Sequence, residues 1–161
     1  MAQKVQVVSN KKVFCRSAMA ILIALSLVMF GSVAAYAGSA SGSTMTFTVG
    51  SKTYMAYNYV YAIGPATGLA LAETRVCSTS SAPSGYLGSA ARLYNGSVLD
   101  ASSSTYYSSG TYGAGTYFST TAMNTSAPSG NYNSYGYALG YNPSTGGYTT
   151  ALPARSPNQS V

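Results

Sequence analysis

Few side chains in this sequence of 161 residues could act as a general acid or base near neutral pH. It contains no histidine, which excludes Ser-His-Asp and Cys-His catalysis as well as metal sites built on imidazole. Glu73 and Asp100 are the only carboxylates, too few for a calcium site and the minimum for the acid pair of a glycosidase. Such residues are more often solvated or ion-paired surface charges. We therefore predict a protein that is not an enzyme, with no cofactor and no metal site.

Tyrosine is the residue type best suited to a function in recognition. All but one of the 16 tyrosines follow residue 37, and this side chain combines a large contact surface with a hydroxyl group. Two segments place tyrosines at alternate positions, as on one face of a strand. The candidate binding residues are Tyr57, Tyr59, Tyr61, Tyr135, Tyr137 and Tyr141. These faces could equally form a core, and core burial is favoured for Tyr57 because Met55 and Ile63 share its face.

A repeated turn sequence precedes the strands that would carry these side chains. Ser-Ala-Pro-Ser-Gly occurs at residues 81–85 and again at 126–130. Proline presets φ and glycine accepts a positive φ, so each copy predicts a turn that leads into a strand. A two-residue period follows, over residues 86–94 after the first copy and 134–141 after the second.

Alternating residues and turn signals predict strands along the whole chain after the N-terminal segment. The predicted strands are residues 44–49, 52–63, 69–77, 86–95, 97–99, 112–120, 131–141 and 148–152. Hairpin turns are predicted at Gly50-Ser51 and at Asn95-Gly96, the latter as the two central residues of a type I′ turn. The fold class is therefore all-β, a single small antiparallel β-sandwich, with a partly open β-barrel as the alternative.

The N-terminal 37 residues have the three parts of a secretory signal peptide. A basic segment precedes an uncharged apolar run at residues 18–30, and Ala35-Tyr-Ala37 supplies the small residues of a cleavage site. The run is shorter than the roughly 20 residues that span a bilayer. We expect cleavage between Ala37 and Gly38 and a secreted, extracellular protein whose mature form does not span the membrane. The long basic region is typical of Gram-positive bacterial precursors.

The sequence divides into four predicted segments. We predict a signal peptide at 1–37, a disordered lead-in at 38–43, a β-sandwich domain at 44–152 and a disordered tail at 153–161. Cys15 lies before the apolar run rather than after it, so no lipoprotein anchor is expected. The tail lacks the threonine and glycine of a sortase signal. After cleavage, four basic residues face two acidic ones, which indicates no nucleic-acid partner.

The sequence of residues 82–96, Ala-Pro-Ser-Gly-Tyr-Leu-Gly-Ser-Ala-Ala-Arg-Leu-Tyr-Asn-Gly, resembles small secreted β-proteins of Gram-positive bacteria, as does Ser-Pro-Asn at 156–158. Most of those proteins have no assigned function. Some are similar to bacteriocins of the lactococcin 972 type, small secreted β-sandwiches that act on the cell envelope. Lactococcin-like chains are shorter and contain tryptophan and histidine, which this sequence lacks. The resemblance implies a fold and a toxin function but no site residues.

Three functions are compatible with these observations. The first is a cell-surface or extracellular binding module that uses tyrosine-rich strand faces, with cell-wall polysaccharide or another surface protein as its partner. The second is a bacteriocin-like toxin. The third is a matrix or fibre subunit that associates with itself through strand edges. Cys77, the only cysteine after residue 37, is either a small buried side chain or the site of an interchain disulfide.

Overall fold

Antiparallel β-strands make up all the regular secondary structure in residues 37–64 and 68–161, which this computed structural model describes. The all-β prediction is therefore confirmed. The strands are β1 (Ala37–Ser41), β2 (Met45–Val49), β3 (Lys52–Ile63), β4 (Leu69–Ser78), β5 (Leu87–Ala90), β6 (Arg92–Asn95), β7 (Val98–Ser102), β8 (Tyr106–Tyr107), β9 (Phe118–Asn124), β10 (Asn131–Ser134), β11 (Tyr137–Asn142), β12 (Gly147–Ala151) and β13 (Gln159–Ser160). None of these residues belongs to a helix long and apolar enough to cross a membrane. The predicted signal peptide, except Ala37, lies outside the described residues, as does Cys15.

The first layer is a five-stranded sheet in the order β1-β3-β4-β9, in which β2 also pairs with β3. β1 and β2 lie end to end along one edge of β3, and the predicted hairpin turn at Gly50-Ser51 joins β2 to β3. Strict alternation in β3 buries one face, which includes Tyr54 and Val60, and leaves the other partly exposed. β4 alternates in the same way for most of its length, so the two strands together turn a buried face towards the second layer.

The second layer consists of two four-stranded sheets, β13-β10-β6-β7 and β12-β11-β5-β8. Their central strands continue into one another, because Ala91 alone separates β5 from β6 and residues 135–136 separate β10 from β11. β5 packs on β4 and β9, and β10 packs on β3 and β4. None of the sheets closes on itself. The fold is therefore a β-sandwich with one interrupted layer and not the alternative, a partly open barrel.

Two apolar clusters form the core between the layers. The larger buried side chains are Tyr54, Val76 and Leu87 in one cluster and Val60, Leu93 and Tyr132 in the other. Each Ser-Ala-Pro-Ser-Gly segment adds one buried alanine, Ala82 to the first cluster and Ala127 to the second. The repeat thus serves the same packing role at both ends of the core. Its glycines differ, since Gly85 has a φ of 81° and Gly130 is not among the described glycines with positive φ.

Asn58 lies between the two clusters in β3 with a fully buried side chain. Its Oδ1 accepts hydrogen bonds from Thr74 Oγ1 at 2.8 Å and from the Gly136 N–H at 3.0 Å. Its Nδ2 donates to the carbonyl oxygens of Pro153 at 3.0 Å and Ala154 at 3.2 Å. An amide side chain has two donors and an acceptor oxygen, and all are engaged here. One side chain therefore ties β3 and β4 to the interruption of the second layer and to the chain after β12.

Asn58→Ala should lower the free energy of unfolding by about 3 kcal/mol or more, because each buried polar group left without a partner costs about 1–3 kcal/mol. Urea unfolding followed by tyrosine fluorescence measures the change. Asn131→Ala is the matched control, since Asn131 is an exposed strand residue whose side-chain oxygen accepts only from Ser160. That variant should lose less than about 1 kcal/mol. Equal losses in the two variants would contradict the role given to Asn58.

The predicted turn at Asn95-Gly96 lies one residue further along the chain. Asn95 pairs with Val98, so the central residues of the two-residue loop are Gly96 and Ser97. The prediction of Asn95 as a central turn residue is therefore wrong. Asn95 stays in the strand because it also pairs with Tyr132 on its other side. Gly96 has the positive φ that such a loop requires, 59°.

Gly96→Val should destabilise the protein by about 1–3 kcal/mol, the usual cost of forcing a β-branched residue into this backbone region. No atom lies within 4 Å of a Cβ built at Gly96, so the cost is backbone strain alone. Gly110 has the same open space without a positive φ, and Gly110→Val should be nearly neutral. Gly146, with a φ of 69°, should behave like Gly96. Thermal unfolding midpoints that are equal for Gly96→Val and Gly110→Val would exclude the strained turn.

Both segments predicted to be disordered contain strands, which corrects the predicted boundaries. In the lead-in at 38–43, β1 pairs with β3. In the tail at 153–161, Pro153 and Ser156 are buried and β13 pairs with β10. These segments are rich in small and polar residues, and backbone hydrogen bonds to a neighbouring strand hold them. The composition of these segments therefore does not predict their strands.

Several further strands differ from their predicted extents, and the strand predicted at 86–95 is divided into β5 and β6 at Ala91. The strand predicted at 112–120 occupies Phe118–Asn124, and Tyr112 forms only an isolated bridge to Ala82. The strand predicted at 131–141 is divided into β10 and β11, because the Gly136 N–H turns inward to Asn58 instead of joining the ladder.

Candidate functional site

The predicted binding tyrosines lie on the outer faces of both layers and do not form one site. Each of the six is partly exposed. Core burial of Tyr57 is therefore wrong, because β3 turns its small and apolar residues, such as Ala56 and Val60, towards the second layer. Tyr59 and Tyr61 share the outer face of the first layer with Tyr57.

Tyr57 and Tyr59 surround an arginine on that face. The Arg75 guanidinium carbon lies 4.9 Å from the ring centroid of Tyr59 and 5.7 Å from that of Tyr57. Arg75 also donates to the Tyr57 hydroxyl at 3.0 Å and through Nε to Glu73 at 2.6 Å. The carboxylate neutralises the arginine, and the polar groups of this cluster are engaged with one another. We assign it a structural role.

A groove in the second layer is the best candidate for a binding site. Ser84, Gly85, Tyr86, Tyr141 and Tyr148 line a cavity of about 320 Å³. This volume is at the lower end of the range in which small-molecule sites fall. Of the six predicted residues, only Tyr141 belongs to the groove.

Aromatic rings continue beyond the groove as a row. The ring centroids of Tyr86 and Tyr141 are 4.9 Å apart, those of Tyr141 and Tyr148 are 5.2 Å apart, and those of Tyr148 and Tyr107 are 4.7 Å apart. These separations are typical of favourable aromatic pairs. We call these four residues the tyrosine row. Tyr148 and Tyr107 are 41% and 45% exposed, so the row offers ring surface to a ligand.

Strand pairing and hydrogen bonds hold the row in place. Tyr141 lies directly opposite Tyr148 in the β11–β12 pair, and its N–H donates to the carbonyl oxygen of Tyr86 at 3.1 Å. The hydroxyl of buried Tyr54 donates to the carbonyl oxygen of Tyr141 at 3.0 Å. The Tyr148 hydroxyl donates to the carbonyl oxygen of Gly85 at 2.7 Å. The groove is therefore formed before any ligand arrives.

Gly88 makes room for the end of the row. A Cβ at this position would lie 2.9 Å from Cδ1 of Tyr107 and 3.1 Å from Cδ1 of Leu139. Because Gly88 has no side chain, the Tyr107 ring can pack closely across β5. This glycine is therefore required by close approach and not by a turn.

Polar groups at the edge of the groove remain available to a ligand. The structure gives the Tyr86 and Tyr141 hydroxyls no hydrogen-bond partner among the described residues. The Lys52 ammonium lies 5.6 Å from the Tyr86 ring centroid and donates to the carbonyl oxygen of Ser81 at 2.8 Å and to Ser80 Oγ at 3.3 Å. An ammonium group has three donors, so one of them is free.

The residues considered for catalysis lie elsewhere. Glu73 is paired with Arg75, and Asp100 accepts a hydrogen bond from Asn124 Nδ2 at 2.8 Å. Cys77 is fully buried, and burial raises the pKa of its thiol, which favours its interpretation as a small buried side chain. Within residues 37–64 and 68–161, no group of three or more His, Cys, Asp or Glu side chains could hold a metal ion.

Sequence reasoning missed three members of the tyrosine row, Tyr86, Tyr107 and Tyr148. A signal for one of them was present, because Pro143 and Gly146 mark a short turn between two predicted strands. A hairpin across that turn places Tyr141 opposite Tyr148, as observed. Tyr86 directly precedes β5 and Tyr107 belongs to β8, and no local pattern relates them to Tyr141.

Comparison with protein-family models, with curated proteins and with solved structures finds no match for this chain. The resemblance of residues 82–96 to secreted Gram-positive β-proteins, including the lactococcin 972 type, therefore stays a prediction.

The stability of the protein should fall as pH rises above about 10. Burial raises the pKa of Tyr54 above its usual value of 10.0, as does the nearby Tyr86, and burial likewise raises the pKa of Tyr148. The unfolded chain therefore loses these protons first, so the stabilisation is complete below pH 10 and declines above it. Urea unfolding across this pH range measures the decline, which should be shallower in Tyr54→Phe. An identical decline in that variant would contradict the assignment.

Proposed function

We propose that the protein is a secreted, non-enzymatic binding module that holds a sugar unit of an extracellular polysaccharide in the groove between Tyr86, Tyr141 and Tyr148. The observation that carries this proposal is the row of preformed, partly exposed tyrosine rings along the groove. The apolar C–H face of a sugar ring packs against an aromatic ring, and its hydroxyls need donors and acceptors at the edge.

The groove supplies both kinds of contact. Tyr141 and Tyr148 present ring surface, the free hydroxyls of Tyr86 and Tyr141 can donate or accept, and Lys52 has an unused donor. The rings are held by backbone pairing and by the Tyr148–Gly85 hydrogen bond, so binding costs little side-chain ordering. These features support recognition of a saccharide.

The chemistry of the chain supports binding over catalysis. Neither Glu73 nor Asp100 lines the groove, and the sequence has no histidine to serve as a base. The signal-peptide pattern of residues 1–37 supports secretion. In this proposal the partner is a wall polysaccharide, and binding to it retains the secreted protein at the cell surface.

Removal of one ring should weaken binding to isolated wall polysaccharide about tenfold or more, since a central aromatic contact typically contributes that much affinity. The variants are Tyr141→Ala and Tyr148→Ala, measured by co-sedimentation of the purified protein with insoluble wall material. Tyr148→Phe keeps the ring and loses only the hydrogen bond to Gly85, so it should bind within a few-fold of the wild type.

Tyr106→Ala is the matched control. Tyr106 is 58% exposed, neighbours Tyr107 in the chain and is not part of the tyrosine row. Its variant should bind like the wild type. The proposal fails if Tyr141→Ala and Tyr148→Ala, both shown to be folded by their unfolding midpoints, bind every wall fraction as the Tyr106→Ala control does.

A further inference from the structure

Arginine and tyrosine side chains form another surface on the second layer, and this surface includes no acidic residue. Arg92 and Tyr94 project from the outer face of β6, on either side of buried Leu93. Tyr135 and Tyr137 lie in a neighbouring segment of the same layer, at the interruption between β10 and β11. We call Arg92, Arg155 and these three tyrosines the cationic face; none of them lines the groove.

The rings hold both guanidinium groups in place. The Arg155 guanidinium carbon lies 5.2 Å from the ring centroid of Tyr94 and 5.3 Å from that of Tyr135. The Arg92 guanidinium carbon lies 5.2 Å from the ring centroid of Tyr137. Arginine over tyrosine combines cation–π attraction with restriction of a flexible side chain. A guanidinium that stacks on a ring keeps N–H groups at its edge, and these can donate hydrogen bonds to two oxygens of an anion.

Neither arginine has a carboxylate partner in the described part of the chain. Glu73 is paired with Arg75 in the other layer, and Asp100 accepts from Asn124 of β9. Arg155 donates only to the carbonyl oxygen of Gly96, at 3.4 Å. Arg75 shows the contrast, because it stacks on two tyrosines in the same way but is neutralised. The cationic face therefore carries two uncompensated positive charges on exposed side chains.

We propose that the cationic face binds a linear polyanion of the cell envelope whose charges are phosphodiester groups. Charge complementarity carries this assignment, since planar guanidinium groups match the paired oxygens of a phosphodiester. Both arginines are exposed and none of the face lines the groove, which suits a chain polymer better than an enclosed small molecule. Arg155 lies over the ring of Tyr94, and Tyr94 is two residues from Arg92 on the same strand face, a step of about 7 Å along the strand. One polymer chain that follows this face can therefore meet both arginines.

Two cations are too few for a nucleic-acid surface, which typically neutralises about 6–10 phosphates. Two cations are enough to bind a polymer that repeats the same weakly bound charge many times along its length. The interaction is independent of the groove, where ring stacking on a neutral sugar supplies the binding.

The test uses the purified protein and poly(glycerol phosphate) as the probe, with dextran as the uncharged baseline. Titration calorimetry at about 50 mM salt should detect binding to poly(glycerol phosphate) only. The logarithm of affinity should fall with the logarithm of salt concentration with a slope no steeper than about −2, because two charges are neutralised. Arg92→Gln and Arg155→Gln should each weaken binding about tenfold, and the double variant should show none above the baseline.

Arg75→Gln is the matched control, since it removes the same charge from a stacked arginine on the opposite layer. It should bind poly(glycerol phosphate) like the wild type. Loss of binding in Arg75→Gln equal to that in Arg92→Gln would overturn the proposal, because net charge alone would then explain the interaction. Absence of binding by the wild type would also overturn it, as would tighter binding to single-stranded DNA or to the polycarboxylate polygalacturonate. Unfolding midpoints establish that each variant is folded.

Discussion

The buried amide of Asn58 is the constraint on which the architecture depends. In the buried interior its donors and acceptor must all find partners, and they find them in three different parts of the chain. Gly136 must turn its N–H inward, which divides β10 from β11. The chain after β12 must curve back so that Pro153 and Ala154 present carbonyl oxygens. The Gly42 N–H donates to the Asn58 carbonyl oxygen at 2.8 Å, at the place where β1 gives way to β2. The break in the second layer and the passage from β1 to β2 at the edge of the first layer therefore meet at one residue.

The interruption of the second layer separates the two candidate surfaces. Tyr135 lies in the break and Tyr137 directly follows it, and both lie beside arginines. Tyr141 lies beyond the break, next to Tyr148 of the adjoining hairpin. An unbroken strand would have presented these tyrosines as one uniform ladder. The break instead produces a groove suited to a neutral ring and an open face suited to an anion, only a few residues apart in the chain.

Tyrosine also compensates for the scarcity of carboxylates. Lys52, Arg75, Arg92 and Arg155, the basic residues of the described chain, each lie over at least one tyrosine ring. Only Arg75 has an ion-pair partner in that part of the chain. A ring face attracts a cation without neutralising it. Stacked cations therefore keep their charge available, and the protein obtains rigid contact surfaces that need no disulfide and no acidic residue.

The sequence by itself determined the all-β class, the alternation of β3 and β4 and the turn at Gly50-Ser51, because these follow from a two-residue period and from backbone preferences of neighbouring residues. It also determined that no imidazole group is available, since a missing histidine cannot be supplied by folding. Only the tertiary structure decided that Tyr57 faces outward, that the lead-in and the tail contain paired strand residues, and that Tyr86, Tyr107 and Tyr148 join Tyr141. Each of these depends on pairing between segments far apart in the chain, and a local pattern carries no information about which distant backbone will complete the hydrogen bonds of a strand.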